Sequence, residues 1–259
     1  MNRYVALIVL IAAAGCNKPA TNGSKAPHSA APAISVPTYA SPPRRKEADA
    51  YFAKWLESHG HSNVVVDAEG VGIEGNATRL KASLYGSKQH AKGGFIIELE
   101  FTVQLPSNHR ITEFVAGIGD TEEKAINDAM VNFTLTTFHV LYKGFINADD
   151  PHINSTPIEM PGGKRDLIMG DILMRGGQPD QKTDLNFMRA EIQGALKKLT
   201  LSGEPHWIKI VYSQDGGKPV TVAVTLDNLE HRELTDAVTQ LPWPRTGAFY
   251  MANQFIVIK

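Results

Sequence analysis

Four short stretches place side chains at spacings that chemistry uses. Gly70-Val71-Gly72-Ile73-Glu74-Gly75 has the GxGxxG spacing with which a glycine turn brings backbone N–H groups up to a pyrophosphate at a helix start. Glu98 and Glu100 stand two apart in an alternating stretch, so both carboxylates leave one side of a strand, as an acid–base pair requires. His59-Gly60-His61 offers two imidazoles to a metal, and Gly162-Gly163-Lys164-Arg165 offers part of a phosphate cradle.

Each stretch also has a plainer structural explanation, and that explanation is preferred in every case. A dinucleotide loop must lead through a helix to a parallel strand, whereas Gly70–Gly75 leads into hairpin-like segments. Arg79 and Lys81 are expected opposite Glu98 and Glu100, which makes a charge-matched, solvated sheet surface. His59 and His61 lack identifiable third and fourth ligands, and His59 continues the apolar face of a helix, so no metal is assigned. His109 and His139 are isolated in the sequence and read as structural. The Gly162 stretch lacks the lysine followed by serine or threonine of a full phosphate loop and reads as a turn before a strand. GxSxG, HExxH and carboxylate-rich calcium-loop patterns are absent. No catalytic residue and no cofactor is therefore assigned. Trp243, held between Pro242 and Pro244 on extended backbone, is either a plug in the core or the one candidate binding anchor.

Around these residues the pattern predicts elements of both kinds. A helix follows residue 45, with Ala48, Tyr51, Phe52, Trp55, Leu56 and His59 on one face and Gly60 to end it. TRLKASLY, FIIELEFTVQL and RITEFVAGIG alternate as an antiparallel meander, joined by the loop GSKQHAKGG and a turn at Pro106-Ser107-Asn108-His109. Asp120 with Glu123 predicts the capped start of a helix running from Thr121 to about Tyr142. NADDPHINSTPIEMPGGKRD is rich in turn residues. The strand DLIMGDILM follows it, and then an amphipathic helix with Leu185, Met188, Ile192, Ala195 and Leu199 on its stripe. HWIKIVY and PVTVAVTL flank a hairpin turn at Gln214-Asp215-Gly216-Gly217. Asp227 with Glu230 is expected to cap a last helix, and QFIVIK closes the chain as a strand.

The only cysteine, Cys16, stands where an apolar run from Val5 to Ile11 and the small residues Ala12, Ala13, Ala14 and Gly15 give way to a polar stretch. With Arg3 ahead of it, that run has the three parts of an export signal and is too short for a membrane span of about 20 residues. Ala13-Ala14-Gly15-Cys16 resembles the lipobox of bacterial lipoproteins. The resemblance implies that residues 1–15 are removed and that Cys16 becomes an acylated first residue, carrying palmitate-like chains. It also implies, since Asn17 rather than aspartate follows, an address at the outer membrane. A lipidated Cys16 leaves the rest of the chain without a thiol, which excludes disulfides and thiolate chemistry.

Residues 16–45 are dominated by Asn, Pro, Ala, Ser, Thr, Gly and Lys and read as the lipidated cysteine and a flexible tether. Two α+β segments follow, 46–150 and 151–259, each with antiparallel strands covered by helices. Both show helices flanking strands, an order compatible with two similar subdomains. The chain carries 26 basic and 27 acidic residues, with no basic stripe for nucleic acid. The expectation is a membrane-tethered periplasmic binding or adaptor protein, of an immunity or chaperone-like kind. Its partners are the membrane, through the lipid, and another envelope protein or peptide. The alternative is a periplasmic hydrolase acting on envelope material.

Overall fold

Alternating segments become strands here wherever one set of alternate residues has something to pack against. A computed structural model describes residues 43–89, 93–105, 109–175, 182–184, 186–203, 205–215, 218–243 and 250–259. The leader, Cys16, nearly all of the tether, Leu185 and the expected turn residues at 106–108 and 216–217 lie outside the described residues.

The first sheet is a meander in chain order: β1 (Val64–Asp67), β2 (Gly70–Ile73), β3 (Arg79–Gln89), β4 (Phe95–Gln104) and β5 (Arg110–Gly119), all antiparallel. Along β4, Ile97, Leu99, Phe101 and Val103 are buried while Glu98, Glu100, Thr102 and Gln104 are half-exposed, as the alternation predicts. Helix α1 (Lys46–Ser58) lays Ala48, Phe52 and Leu56 onto the buried side. The GxGxxG stretch forms β2 and the turn after it, between two antiparallel neighbours and with no helix following. A β-carbon on Gly72 would sit 2.5 Å from the Thr78 carbonyl oxygen, so this glycine serves close strand approach rather than a nucleotide.

The register corrects one expectation. Arg79 lies opposite Gln104 and Lys81 opposite Thr102, while Ser83 faces Glu100 and Gly86 faces Glu98 across a bulge at Tyr85. The cause is that β3 continues to Gln89, taking up much of the expected loop and shifting the pairing. Arg79 and Lys81 turn instead to Asp67 and Glu69 at the β1–β2 turn, each at 3.3 Å.

Helix α2 (Glu122–Phe133) is capped by Thr121, whose hydroxyl accepts from the Lys124 N–H at 3.2 Å. Asp120, the expected cap, instead pairs with the Lys124 ammonium at 2.8 Å. The helix then runs on past its expected end, through a π-helical turn (Thr134–Phe138), three α-helical residues (His139–Leu141) and a second π-helical turn (Tyr142–Ile146). Its first half presses on β5, where a β-carbon on Gly117 would meet the Ala125 carbonyl oxygen at 1.8 Å.

The second sheet has the order β12-β11-β10-β13-β7-β6. These strands are β6 (Thr156–Met160), β7 (Gly163–Met169), β10 (His206–Gln214), β11 (Thr221–Leu226), β12 (Leu229–Glu230) and β13 (Tyr250–Ile258), with β8 (Leu173–Arg175) and β9 (Lys182–Asp184) attached beside β13. Helices α3 (Arg189–Leu196) and α4 (Arg232–Thr239) belong to this half. One face of the sheet, with Ile168, Trp207, Phe255 and Val257, joins the core of the first sheet. The other, with Leu167, Ile208, Ile210, Tyr212, Ile256 and Ile258, packs with the apolar residues of α3 and α4.

Three sequence expectations change in this half. Thr156–Met160 is a strand, paired with β7 about the turn before Gly163, although its composition reads as a turn. DLIMGDILM divides at Gly170, where a β-carbon would strike the Thr136 carbonyl oxygen at 1.9 Å, so the first π turn fits directly against the break. Asp227 and Asn228 form a tight turn with φ of 51° and 68° instead of a helix cap. The Nδ1 of His231 takes that role, accepting from the Leu234 N–H at 3.2 Å.

Candidate functional site

Two places gather side chains beyond the needs of packing. The first is the side of the first sheet that faces away from the helices. Registers place Glu98 beside Ala116 and Glu100 beside Phe114, with Ile96 beside Ile118 at one end and Thr102 beside Thr112 towards the other. The bulge in β3 turns Tyr85 onto the same side, and its ring meets that of Phe114 edge-on at 4.7 Å. The two rings thus join across β4, with Tyr85 50% and Phe114 37% exposed. Outward positions on a solvated sheet face ordinarily carry polar residues, so this pair is unusual. Burial beside these groups lifts the Glu98 carboxyl above its usual range, against the pull of Lys88.

The second place lies where the end of α1 meets the second π turn. The His59 ring stacks on Trp55 at 3.7 Å, and its Nδ1 is 2.8 Å from the Trp55 carbonyl oxygen. The Tyr142 hydroxyl lies 2.5 Å from His61 Nε2 and accepts from the Asn147 amide at 3.1 Å. It also hydrogen-bonds the Asp150 carboxylate; burial first, and then this carboxylate, holds the phenol above its usual range, partly opposed by Asn147. Asp150 is buried, accepting from the His152 N–H at 2.7 Å, and its carbonyl takes the Lys143 ammonium at 2.7 Å. The His152 and His59 rings are 5.8 Å apart. His139, on the same helix, places Nδ1 2.6 Å from the Thr134 carbonyl oxygen. Burial pushes its imidazole below the usual range, with Asp171, Arg189 and His59 as its charged neighbours. Turns of π-helix open a helix locally and recur at functional positions, and the two π turns among the described residues border the cluster.

The sequence pointed to parts of each place. Glu98 and Glu100 do share a face, but among the described residues no histidine joins them there. His59 and His61 do meet further polar groups, from residues more than 80 positions away. Among the described residues, no three His, Cys, Asp or Glu side chains stand where they could hold one metal ion. Tyr85 and Phe114 were missed, although Phe114 at an outward position of an alternating strand was the available signal. Trp243 is half-buried, its ring 4.5 Å from Tyr212 and its indole N–H donating to the Val238 carbonyl at 2.7 Å. His109 is exposed, 4.9 Å from the Trp207 ring. Gly163, Lys164 and Arg165 open β7, and the Arg165 guanidinium donates to the Leu201 and Gly203 carbonyls at 3.1 and 3.2 Å. Cys16 lies outside the described residues.

A groove of about 800 Å³ runs between the starts of α1 and α2, lined by Arg45, Glu47, Glu122, Glu123 and Lys124 among others. It opens broadly to solvent and holds none of the histidines. Among the described residues no helix is long and apolar enough to cross a membrane.

These features define an α+β protein of two antiparallel sheets with covering helices, one sheet keeping a face open among the described residues. The chain belongs to DUF6348, a family of unknown function, which it matches over residues 61–259. No curated protein and no solved structure matches it.

Proposed function

We propose that this chain is a lipid-anchored protein of the bacterial cell envelope, tethered through Cys16 at the outer membrane, whose folded part binds another envelope protein or peptide. The observation that carries the binding role is the Tyr85–Phe114 pair, exposed on a sheet face with both helices on the opposite side. An aromatic pair surrounded by polar groups is the usual composition of a docking hot spot. The anchor is supported by the spacing of Cys16 after the apolar run. At least two acyl chains on one residue hold a protein at a bilayer durably.

Two measurements test the two parts separately. Mass spectrometry of the chain expressed in a bacterial host should find an acylated Cys16 at the amino terminus; a free thiol there ends the anchor reading. Cross-linking from a photoreactive residue placed at Tyr85 should trap a discrete envelope partner, and a cross-linker at Glu159, on the edge strand β6, should not. Equal trapping from both positions ends the docking reading.

A second reading, a hydrolase acting on envelope material, draws on the His61, Tyr142 and Asp150 chain, which resembles an imidazole oriented by a polar relay. Release of soluble fragments from purified cell envelope, abolished by His61→Ala, would support it.

A further inference from the structure

We infer that the open face of the first sheet accepts an extended peptide segment carrying arginine, whose guanidinium groups meet Glu98 and Glu100 and stack on the Tyr85 and Phe114 rings. The inference rests on the docking role proposed above and adds the chemistry of what docks.

The registers set out the outward rows of the three strands. Glu100 stands between Ser83 and Phe114, and Glu98 between Gly86 and Ala116. Tyr85 lies at the bulge between those two rows, so the joined rings cross β4 at the level of both carboxylates. Ser83, Gly86 and Ala116 are short, and even a β-carbon on Gly86 would stand 3.8 Å from the Glu98 Oε2. Both glutamates are half-exposed, and a ligand reaches them beside an aromatic wall.

Charge decides the occupant. The basic residues of the same face are engaged elsewhere: Arg79 with Asp67 and Lys81 with Glu69, each at 3.3 Å, and the Arg110 guanidinium with the Thr102 hydroxyl at 3.4 Å. Lys88 attracts Glu98, but burial outweighs that pull. Among the described residues neither Glu98 nor Glu100 has an ion-pair partner. A phosphate or an anionic lipid headgroup would meet two like charges here, and a purely apolar segment would bury them without compensation. A cation compensates them. Guanidinium fits best among side-chain cations, because it forks onto a carboxylate and stacks on an aromatic face, whereas the ammonium of lysine is a strongly hydrated point charge. As alternate residues of a strand Glu98 and Glu100 stand about 7 Å apart, and an extended peptide repeats that distance between its own alternate side chains.

Fluorescence anisotropy of a labelled hexapeptide of alternating arginine and leucine, titrated with the full chain at low ionic strength, tests this. The peptide should bind, and replacing its arginines by glutamine should weaken it at least tenfold. Glu98→Gln combined with Glu100→Gln should weaken the arginine peptide at least tenfold at an unchanged unfolding midpoint, while Glu159→Gln on β6 leaves it as tight as in the parent. Failure of the arginine peptide to bind, equal binding of the glutamine peptide, or the same affinity in the two variants overturns the inference. Self-association of the chain that excludes the peptide places a second copy on this face and overturns it too. The docking role is tested apart from this. If the double glutamine variant still yields the partner trapped from position 85 in the same amount, docking stands and arginine recognition falls. If position 85 traps nothing while the arginine peptide binds the parent and not the variant, recognition stands and the envelope partner falls.

Discussion

The two sheets are built from the same kind of antiparallel ladder, yet they meet solvent differently. Among the described residues the first is covered on one side only, and β4 shows it in strict alternation, with Phe101 buried between half-exposed Glu100 and Thr102. The second is covered on both sides. Its central strand β13 buries Phe255, Ile256, Val257 and Ile258 in succession, with Phe255 and Val257 in one core and Ile256 and Ile258 in the other. A strand between two apolar layers has no outward position, so its sequence loses the alternation. Among the described residues, solvent-facing sheet surface is therefore present on the first sheet and absent from the middle of the second.

The contrast is broken most forcefully at β13. Ile256→Ala should cost about 2–5 kcal/mol, because a fully buried side chain leaves a cavity the neighbours cannot fill. Thr102→Ala, on the outward face of β4, should stay within about 0.5 kcal/mol. Urea denaturation of the two variants measures both, and equal losses would remove the one-sided against two-sided distinction. Somewhat smaller is the effect of Gly117→Ala, which drives a methyl group into the Ala125 carbonyl where α2 lies on β5. A loss of about 1–3 kcal/mol is expected from such overpacking, against almost none for Gly194→Ala on α3, where no atom lies within 4 Å of the added carbon.

The boundary between the sheets can be read by pH. Glu113 of β5 is 1% exposed and meets Lys209 of β10 at 2.5 Å, with Asn253 of β13 at 3.5 Å from its other oxygen. Burial raises its carboxyl above the usual range more than Lys209 lowers it. A carboxyl raised in the fold binds its proton sooner there than in the unfolded chain. Its contribution to stability therefore grows as pH falls through the folded value, and is complete below the unfolded value of about 4.3. Glu113→Gln cannot titrate, so its stability relative to the parent should fall as the solution is acidified from pH 7 to pH 4. A constant difference across that range would mean that Glu113 is not desolvated at the boundary.

How far the sequence revealed all this follows from the same contrast. The α+β class, the amphipathic faces of α1 and α3 and the meander of the first sheet were legible, because one-sided burial writes its period into the residues. Register was not legible, since it depended on how far β3 ran past Tyr85 towards its turn. Thr156–Met160 was hidden because Pro157 and the surrounding turn residues disguise an edge strand, whose pairing comes from β7. The π turns were hidden as well: nothing local in TLTTF or YKGFI announces them, and the fit of Gly170 against the first turn and of Gly144, in the second, against Val257 of β13 is a tertiary fact. Of the candidate sites, the spacing gave Glu98, Glu100, His59 and His61 but not what stands beside them, because Tyr85, Phe114, Tyr142 and Asp150 arrive through folding.

The smallest effect on stability should accompany the largest on binding. Replacing Tyr85 and Phe114 by serine removes two rings that water already reaches, so the fold loses only their mutual edge contact, about 0.5–1.5 kcal/mol. A docking pair should behave in the opposite way with its partner, where truncation of a central aromatic costs about 2 kcal/mol or more, or at least tenfold in affinity. Packing and recognition thus predict different rankings for the same two side chains. If the double variant keeps its unfolding midpoint near that of the parent but binds the partner trapped from position 85 at least tenfold more weakly, the exposed rings are there for recognition. If instead it unfolds as readily as Ile256→Ala while retaining its partner, Tyr85 and Phe114 belong to the packing of the first sheet, and that sheet is not the open one.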